Sequence, residues 1–318
     1  MRPLLVVNPQ SGGGKTGKLF PSMRSVIEAR LGPVEVAFTE AAGEGIAIAR
    51  AAALAGHPFV VAVGGDGTFN EVVNGVMLSC KSDARVGLIG QGTGGDFSRG
   101  LGIANRLDKY LDALTSGRER RLDLGWIRYR PAAAPGEGLP VGETRERYFV
   151  NILSAGMGGL VDRYVADASR AFGGKAAYFG ASLKALIACR EGRLRATATI
   201  DGKTEQRKIA TYMIAICNGS YFGSGMRVAP MADVADGRLE VVSIGATSKL
   251  AFAVNARRIY SGAHLGKPGV LHFGCEKISL ELENDAARDV FLLDCDGEAI
   301  GALPVDVEIR KGALVLMG

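Results

Sequence analysis

Residues 59–71 read FVVAVGGDGTFNE. Phe59–Val63 is an apolar run of strand length, and it passes straight into Gly64-Gly65-Asp66-Gly67-Thr68. From Phe69 to Leu78 the apolar residues return with helical spacing. A buried strand, a glycine turn and a helix in immediate succession make half of a βαβ unit. The same grammar recurs on both sides. Leu4–Val7 is a short apolar run closed by Asn8-Pro9, with a helical stretch over Thr16–Arg30. Val34–Phe38 predicts a strand, and Ala-rich Glu44–Leu54 a helix stopped by Gly56-His57-Pro58. Val86–Ile89 predicts a fourth strand, followed by GQGTGGDF at 90–97. Strands alternating with helices imply a parallel sheet, whose ligands bind at the carboxyl ends of the strands. The glycine-rich loops after strands one, three and four all fall at that end.

The first of these loops, NPQSGGGKTG at 8–17, invites comparison with a Walker A phosphate loop. Gly14-Lys15-Thr16 supplies the end of that pattern, but its opening glycine position holds Pro9. Proline fixes φ and has no N–H to offer a phosphate, so the pattern fails. In GGDGTFNE, glycines let backbone approach an anion, and Thr68 is placed to cap the following helix, whose N-terminal N–H groups favour phosphate. Asp66 cannot neutralise phosphate. An acid there points to a metal, a metal-bound water or a hydroxyl proton. GQGTGGDFSRG at 90–100 repeats the logic with Thr93 and Asp96.

Beyond about Asp123 the pattern changes to strand-like runs. These are Trp126–Arg130, Arg147–Leu153, Leu194–Ile200, Ile209–Cys217, Leu239–Ile244, Ile278–Leu282 and Val290–Leu293, with one helical stretch at Ala176–Cys189. A loose loop, PAAAPGEGLPVGE, occupies 131–143. These features predict a mostly antiparallel second domain. Near its end, Asp296-Gly297-Glu298 puts two carboxylates around one glycine. Taken as an extended segment, both would face one side, one accepting a proton while the other positions metal or substrate.

The chain has 318 residues, 22% charged and 47% hydrophobic, which is globular composition. Its 45 glycines are roughly twice the usual ~7% share. A formal charge of +5 suits a nucleotide, an anionic membrane or a nucleic acid without choosing among them. Five cysteines without CxxC spacing indicate neither a disulfide framework nor a zinc site, and a reduced, cytoplasmic setting is expected. The opening MRPLLVVNPQ is too short in apolar residues for a signal peptide, and no stretch approaches the ~18 apolar residues of a membrane span. The histidines at 57, 264 and 272 sit in no ligand or nucleophile pattern.

Taken in order, NPQSGGGK, GGDGTFNEVVNG, GTGGDFSR, APMADVADGRLEVV and CDGE resemble the diacylglycerol kinase catalytic family in its bacterial lipid kinase form, related to sphingosine and ceramide kinases. The resemblance runs over almost the whole chain; GGDGT alone is shared with NAD kinases. It implies two domains with a cleft between them. The first is an α/β nucleotide-binding domain with a parallel sheet, residues 1–124 joined by 303–318. The second is a β-rich lipid-substrate domain, 125–302.

The resemblance also implies ATP and Mg²⁺ as cofactors. Asn8, Pro9, Gln10, Ser11 and Gly12 match the first nucleotide loop, so the glycines would cradle ATP in this family's own loop. Thr39 matches a nucleotide-contacting threonine. Gly65, Asp66, Gly67, Thr68, Phe69, Asn70 and Glu71 match the central loop, and Thr93 the third. Asp66 and Asp96 would organise Mg²⁺ through water. Glu298 matches the proton acceptor, with Asp296 beside it. A structural magnesium would use Asp236 and the carbonyls of Asp233 and Arg238. The partner would be a lipid hydroxyl at a membrane surface, visited peripherally from the cytoplasm, with no nucleic acid; a homodimer stays open.

Gly95 stands where the family commonly has Asn, a departure that bears on substrate identity or nucleotide geometry more than on reaction class. Glu240 replaces a frequent Asp. Two other functions fit parts of the sequence: an NAD kinase-like kinase of a soluble substrate, and a nucleotide- or lipid-binding regulator without catalysis.

Overall fold

The computed structural model describes residues 2–81, 84–92, 94–131, 143–168, 184–185, 187–245 and 257–318. The chain forms two compact units, one of residues 1–124 and 310–318, the other of 125–309.

Unit 1 is built on β1 (Leu4–Val7), α1 (Lys15–Leu31), β2 (Glu35–Phe38), α2 (Glu44–Leu54), β3 (Phe59–Gly64), α3 (Asp66–Leu78), β4 (Arg85–Gly90), α4 (Asp96–Gly100) and α5 (Leu107–Thr115). β1 pairs in parallel with β2 and with β3, and β3 in parallel with β4. The apolar runs explain the placement: all four residues of β1 are buried, as are Val60 to Val63 of β3. Strands covered on both faces read as continuous hydrophobic runs rather than alternating ones. The chain enters the second unit along β5 (Glu119–Pro131) and returns along β14 (Glu298–Met317). At its far end, β14 places Val315 and Leu316 in parallel beside Arg85 and Val86 of β4. Asp123 accepts the backbone N–H of Gly312 at 2.6 Å, and Gly318 donates to the carbonyl of Arg118 at 3.1 Å. The return falls at Arg310 rather than at 303, because Val305 to Glu308 of β14 still pair with a strand of the second unit.

Unit 2 contains β6 (Arg145–Phe149), β7 (Ile152–Gly156), α6 (Met157–Ala168), β8 (Gly192–Ile200), β9 (Lys203–Cys217), β10 (Leu239–Gly245), β11 (Val270–Cys275), β12 (Lys277–Leu282) and β13 (Leu292–Cys295). Its pairings are antiparallel: β5 with β6, β7 with β9 and β13, β8 with β9 and β12, β10 with β9 and β11, and β14 with β12 and β13. The period-2 pattern is plain in β8, where Leu194, Ala196 and Ala198 are buried and Arg193 and Arg195 exposed. The inward residues join one core with Ile214, Ile216, Val241, Ile278, Leu280, Phe291 and Val307. The expected strand over Arg147–Leu153 is broken at Val150 and Asn151 into β6 and β7. The expected helix at Ala176–Cys189 and the loop at 131–143 lie largely outside the described residues.

Candidate functional site

The three glycine loops of unit 1 are fastened to one another. Asn8, at the end of β1, donates from its backbone to the carbonyl of Val63 at 3.0 Å and from Nδ2 to Oγ1 of Thr68 at 3.1 Å. Its Oδ1 accepts the N–H of Gln10 at 3.0 Å, turning the chain into the loop. Gly12, Gly13 and Gly14 then follow with φ of 62°, 69° and 82°. Three successive left-handed residues are open to glycine and costly for any side chain, which is the physical content of the GGG run. Thr16 closes the loop by donating its hydroxyl to the carbonyl of Ser11 at 3.1 Å. Lys15 and Lys18 stand exposed on α1.

The second and third loops touch through glycine. A Cβ on Gly92 would lie 2.7 Å from Cα of Gly65, and one on Gly12 would lie 2.7 Å from the carbonyl oxygen of Gln91. Gln91 donates its N–H to the carbonyl of Gly64 at 2.7 Å. Asp66 opens α3, three residues earlier than the sequence spacing placed the helix, and its Oδ2 accepts the N–H of Asp96 at 3.0 Å. A Cβ on Gly94 would meet Oδ2 of Asp66 at 3.2 Å and Oδ2 of Asp96 at 3.9 Å, so both carboxylates flank one point of the third loop. Asp96 is buried and ion-paired with Arg99. Below them the Tyr110 hydroxyl contacts Oγ of Ser98 at 3.0 Å. Burial pushes that phenol up, partly offset by the Ser98 bond, and the charge of Asp66 adds to the rise. Gly95 caps α4 with φ 60°, and its carbonyl accepts the Ser98 hydroxyl at 3.0 Å. Thr93 lies outside the described residues.

The remaining residues of the central loop face inward. Phe69 is buried and stacks on Phe97 with centroids 5.0 Å apart. Asn70 is buried and accepts from the side chain of Asn74 at 3.0 Å. Glu71 accepts the N–H groups of Gly43 and Gly45 at 2.8 and 2.9 Å, so its carboxylate holds the loop after Thr39 rather than pointing to the glycine loops. Thr39 is itself buried and donates its N–H to the carbonyl of Val7 at 2.9 Å. Side chains of 69–71 therefore support the loops from within.

In unit 2 the Asp296-Gly297 pair is not extended. It is the two-residue turn of the β13–β14 hairpin, with φ of 50° and 89° and Cys295 paired to Glu298. Asp-Gly favours a turn with both central residues left-handed, and this preference overrides the same-face arrangement expected of a strand. The two carboxylates consequently do different work. Asp296 accepts three backbone N–H groups, from Val150 at 2.7 Å, Asn151 at 3.0 Å and Ile152 at 2.9 Å. It clasps the break between β6 and β7 and is a structural acid. Glu298 is partly exposed, and its Oε2 accepts from Arg147 at 2.6 Å. Arg147 did not stand out in the sequence, where its only signal is strand alternation with Arg145. Burial pulls its guanidinium down, but Cys295, Glu298 and Asp296 together hold it above its ordinary value. Cys295 is itself pushed well up by burial, so near neutral pH Glu298 and Asp296 are the relevant neighbours.

The loop at 233–238 has hard oxygen donors. Asp236 accepts the N–H of Arg238 at 2.9 Å, and Asp233 accepts that of Ala235 at 3.0 Å. One carboxylate with backbone carbonyls and water is a donor set of the type Mg²⁺ or Ca²⁺ takes. Among the described residues no group of three or more His, Cys, Asp and Glu side chains is arranged to hold a metal. No helix among them is long and apolar enough to cross a membrane.

Residues 2–127 match the diacylglycerol kinase catalytic domain, and residues 151–318 match the YegS C-terminal NAD kinase beta sandwich-like domain. The chain belongs to the diacylglycerol kinase catalytic family. Within the family it is similar to a diacylglycerol kinase of Bacillus subtilis (strain 168), 25% identical over 304 residues, 95% of this chain and 91% of that one. A "Probable lipid kinase YegS-like" of Chromohalobacter salexigens is 32% identical over 205 residues, which are 64% of this chain and 58% of that relative's length. A crystal structure of a diacylglycerol kinase from Bacillus anthracis str. Sterne shares the fold, with a TM-score of 0.69 at 18% identity over 99% of this chain and 96% of that one.

Proposed function

We propose that this family member is an ATP-dependent lipid kinase that transfers the γ-phosphoryl group to a lipid hydroxyl such as that of diacylglycerol. The observation carrying this is the mutual fastening of the loops at Asn8–Gly14, Gly64–Thr68 and Gln91–Asp96, which turns glycine backbone and two carboxylates toward one place. Glycine backbone and the first turn of α3 suit phosphate oxygens. Asp66 and Asp96 suit the divalent ion that accompanies them. Mg²⁺ bound with the nucleotide would neutralise phosphate charge during transfer. Asp236, with the carbonyls of Asp233 and Arg238, would hold a second, structural ion.

The chain's own part in the reaction is positioning and proton removal. The lipid hydroxyl oxygen bonds to the γ-phosphorus, the bond to the β–γ bridging oxygen breaks, and ADP departs. The hydroxyl proton passes to the carboxylate of Glu298, whose Oε2 is held by Arg147. The formal charge of +5 would favour anionic lipid and a peripheral visit to the membrane.

The test is incubation with γ-labelled ATP and Mg²⁺, offering diacylglycerol vesicles, a total lipid extract or NAD. Label in a lipid product, lost in Glu298→Ala, is expected. Label in the NAD product alone would overturn the lipid substrate, and nucleotide binding without turnover would favour a regulator.

A further inference from the structure

Glu298 is aimed by a residue 151 positions earlier. Arg147 lies on β6, paired across from Ile127 of β5, and its side chain is 14% exposed. Its neighbour two places back on the same face, Arg145, is 63% exposed and pairs with Glu143 at the surface. The strand thus carries one arginine into the interior and leaves the next outside. Desolvating a guanidinium is costly unless acids compensate, and an apolar residue of similar size would fill the space more cheaply. Here the compensation comes from the hairpin that carries Glu298. Arg147 reaches Oε2 of Glu298 at 2.6 Å, while Asp296 of the same hairpin grips the N–H groups of Val150, Asn151 and Ile152, just beyond Arg147. Segment 147–152 and hairpin 295–298 are therefore tied by two charged fastenings a few residues apart.

The two fastenings differ in what they leave over. Asp296 spends both oxygens on backbone N–H groups. In Glu298 the bond from Arg147 falls on Oε2, and among the described residues no hydrogen bond falls on Oε1, on a side chain 40% exposed. A glutamate carries three rotatable bonds, and an unanchored one at that exposure would sample many rotamers. A guanidinium fixed at 2.6 Å selects a rotamer in which Oε2 is occupied, while Oε1 accepts no hydrogen bond from the described residues.

We propose that Arg147 is a positioning residue for phosphoryl transfer, which holds Glu298 by one carboxylate oxygen so that the other meets the acceptor hydroxyl. This rests on the lipid kinase function proposed above, with Glu298 as proton acceptor. Arginine is required for its planar fork, since a lysine keeps the charge but presents it as a mobile point.

The experiment measures transfer of label from ATP to diacylglycerol vesicles by the full chain and by Arg147→Ala, Arg147→Lys, Glu298→Gln and the Arg147→Ala/Glu298→Gln double variant. Arg147→Ala is expected to lower kcat by about 10- to 100-fold, part of the 10²–10⁴ that a general base supplies, with KM for ATP within about twofold of the parent. Arg147→Lys should recover only part of the loss. The double variant should be no slower than Glu298→Gln alone, because a residue acting only through another has nothing left to position. A merely structural arginine would instead add its own loss on top of Glu298→Gln, or move KM for ATP along with kcat. Either result overturns the proposal, as does full activity in Arg147→Ala. Thermal melting checks the fold of each variant, and if Arg147→Ala fails to fold, the comparison passes to Arg147→Lys with and without Glu298→Gln. A parent chain that labels no lipid removes the kinase function and this role together; an active parent with indifferent Arg147 variants removes this role alone.

Discussion

Asp66 Oδ2 accepts the backbone N–H of Asp96 at 3.0 Å, so the acid that opens α3 also anchors the first residue of α4. The bond needs an acceptor oxygen; the proposed work beside phosphate needs a charge. Asp66→Asn keeps the first and removes the second. It should melt within about 1 kcal/mol of the parent and lose more than ~100-fold in lipid phosphorylation. Asp66→Ala should lose both, with a further drop in the melting curve. Parent-like turnover in Asp66→Asn would reduce this aspartate to a structural acceptor.

Gly92 and Gly65 meet backbone to backbone. A methyl on Gly92 would sit 2.7 Å from Cα of Gly65, and neither partner is a side chain that could swing away. Gly92→Ala should cost about 1–3 kcal/mol and weaken binding of a fluorescent ATP analogue. Gly13→Ala is the control, because nothing lies within 4 Å of its added methyl. Only the left-handed φ is strained there, at about 1–2 kcal/mol. Equal nucleotide affinity in both variants would mean that contact between the loops is irrelevant to binding.

Asp296 holds three N–H groups with one carboxylate. Asn offers one acceptor oxygen and turns an NH₂ toward donors. Asp296→Asn should therefore lower the urea midpoint by the equivalent of about 2–3 kcal/mol. A variant of unchanged stability would contradict the assignment of Asp296 as a structural clasp.

Burial pushes the Cys275 thiol up to about 12 from its ordinary 9.0. A raised folded-state value means that the folded chain retains a proton the unfolded chain gives up. The associated stability is complete below pH 9 and is lost as pH climbs toward 12. Cys217 and Cys295 are displaced in the same direction by the same cause. Melting temperature should consequently fall between pH 9 and pH 11, and Cys275→Ala should flatten part of that slope. At pH 7.5, Cys80 alone among the described cysteines is exposed, so one equivalent of a thiol reagent should react before unfolding.

Apolar runs made the first four strands of unit 1 legible, and Leu4–Val7 has the boundaries that its pattern indicates; helix α2, Glu44–Leu54, likewise has the bounds set by its flanking punctuation. Helix α3 begins at Asp66 because Asp66, Gly67 and Thr68 already adopt helical geometry, whereas the apolar period starts only at Phe69. β14 was invisible as one strand because Gly301, Pro304 and Gly312 interrupt it and each normally signals a turn. The hairpin at Asp296-Gly297 carried a strong turn signal, and the chemistry of two neighbouring carboxylates obscured it. The ion pair of Arg147 with Glu298 had no sequence signal at all, since no local pattern links residues so far apart along the chain. Glu71 shows the converse: a polar side chain in a binding motif whose partners, Gly43 and Gly45, are set by tertiary packing.

Unit 1 borrows its edge at β4 from the end of β14: Val315 and Leu316 lie beside Arg85 and Val86. During synthesis on a ribosome, residues 1–124 emerge before 125–309, yet their sheet lacks that neighbour until all of 125–309 has been made and 310–317 has followed. Of the two units, the one whose translation starts earlier is thus the later to be completed. An exposed β4 edge must persist in the nascent chain, where a chaperone or a second copy could engage it.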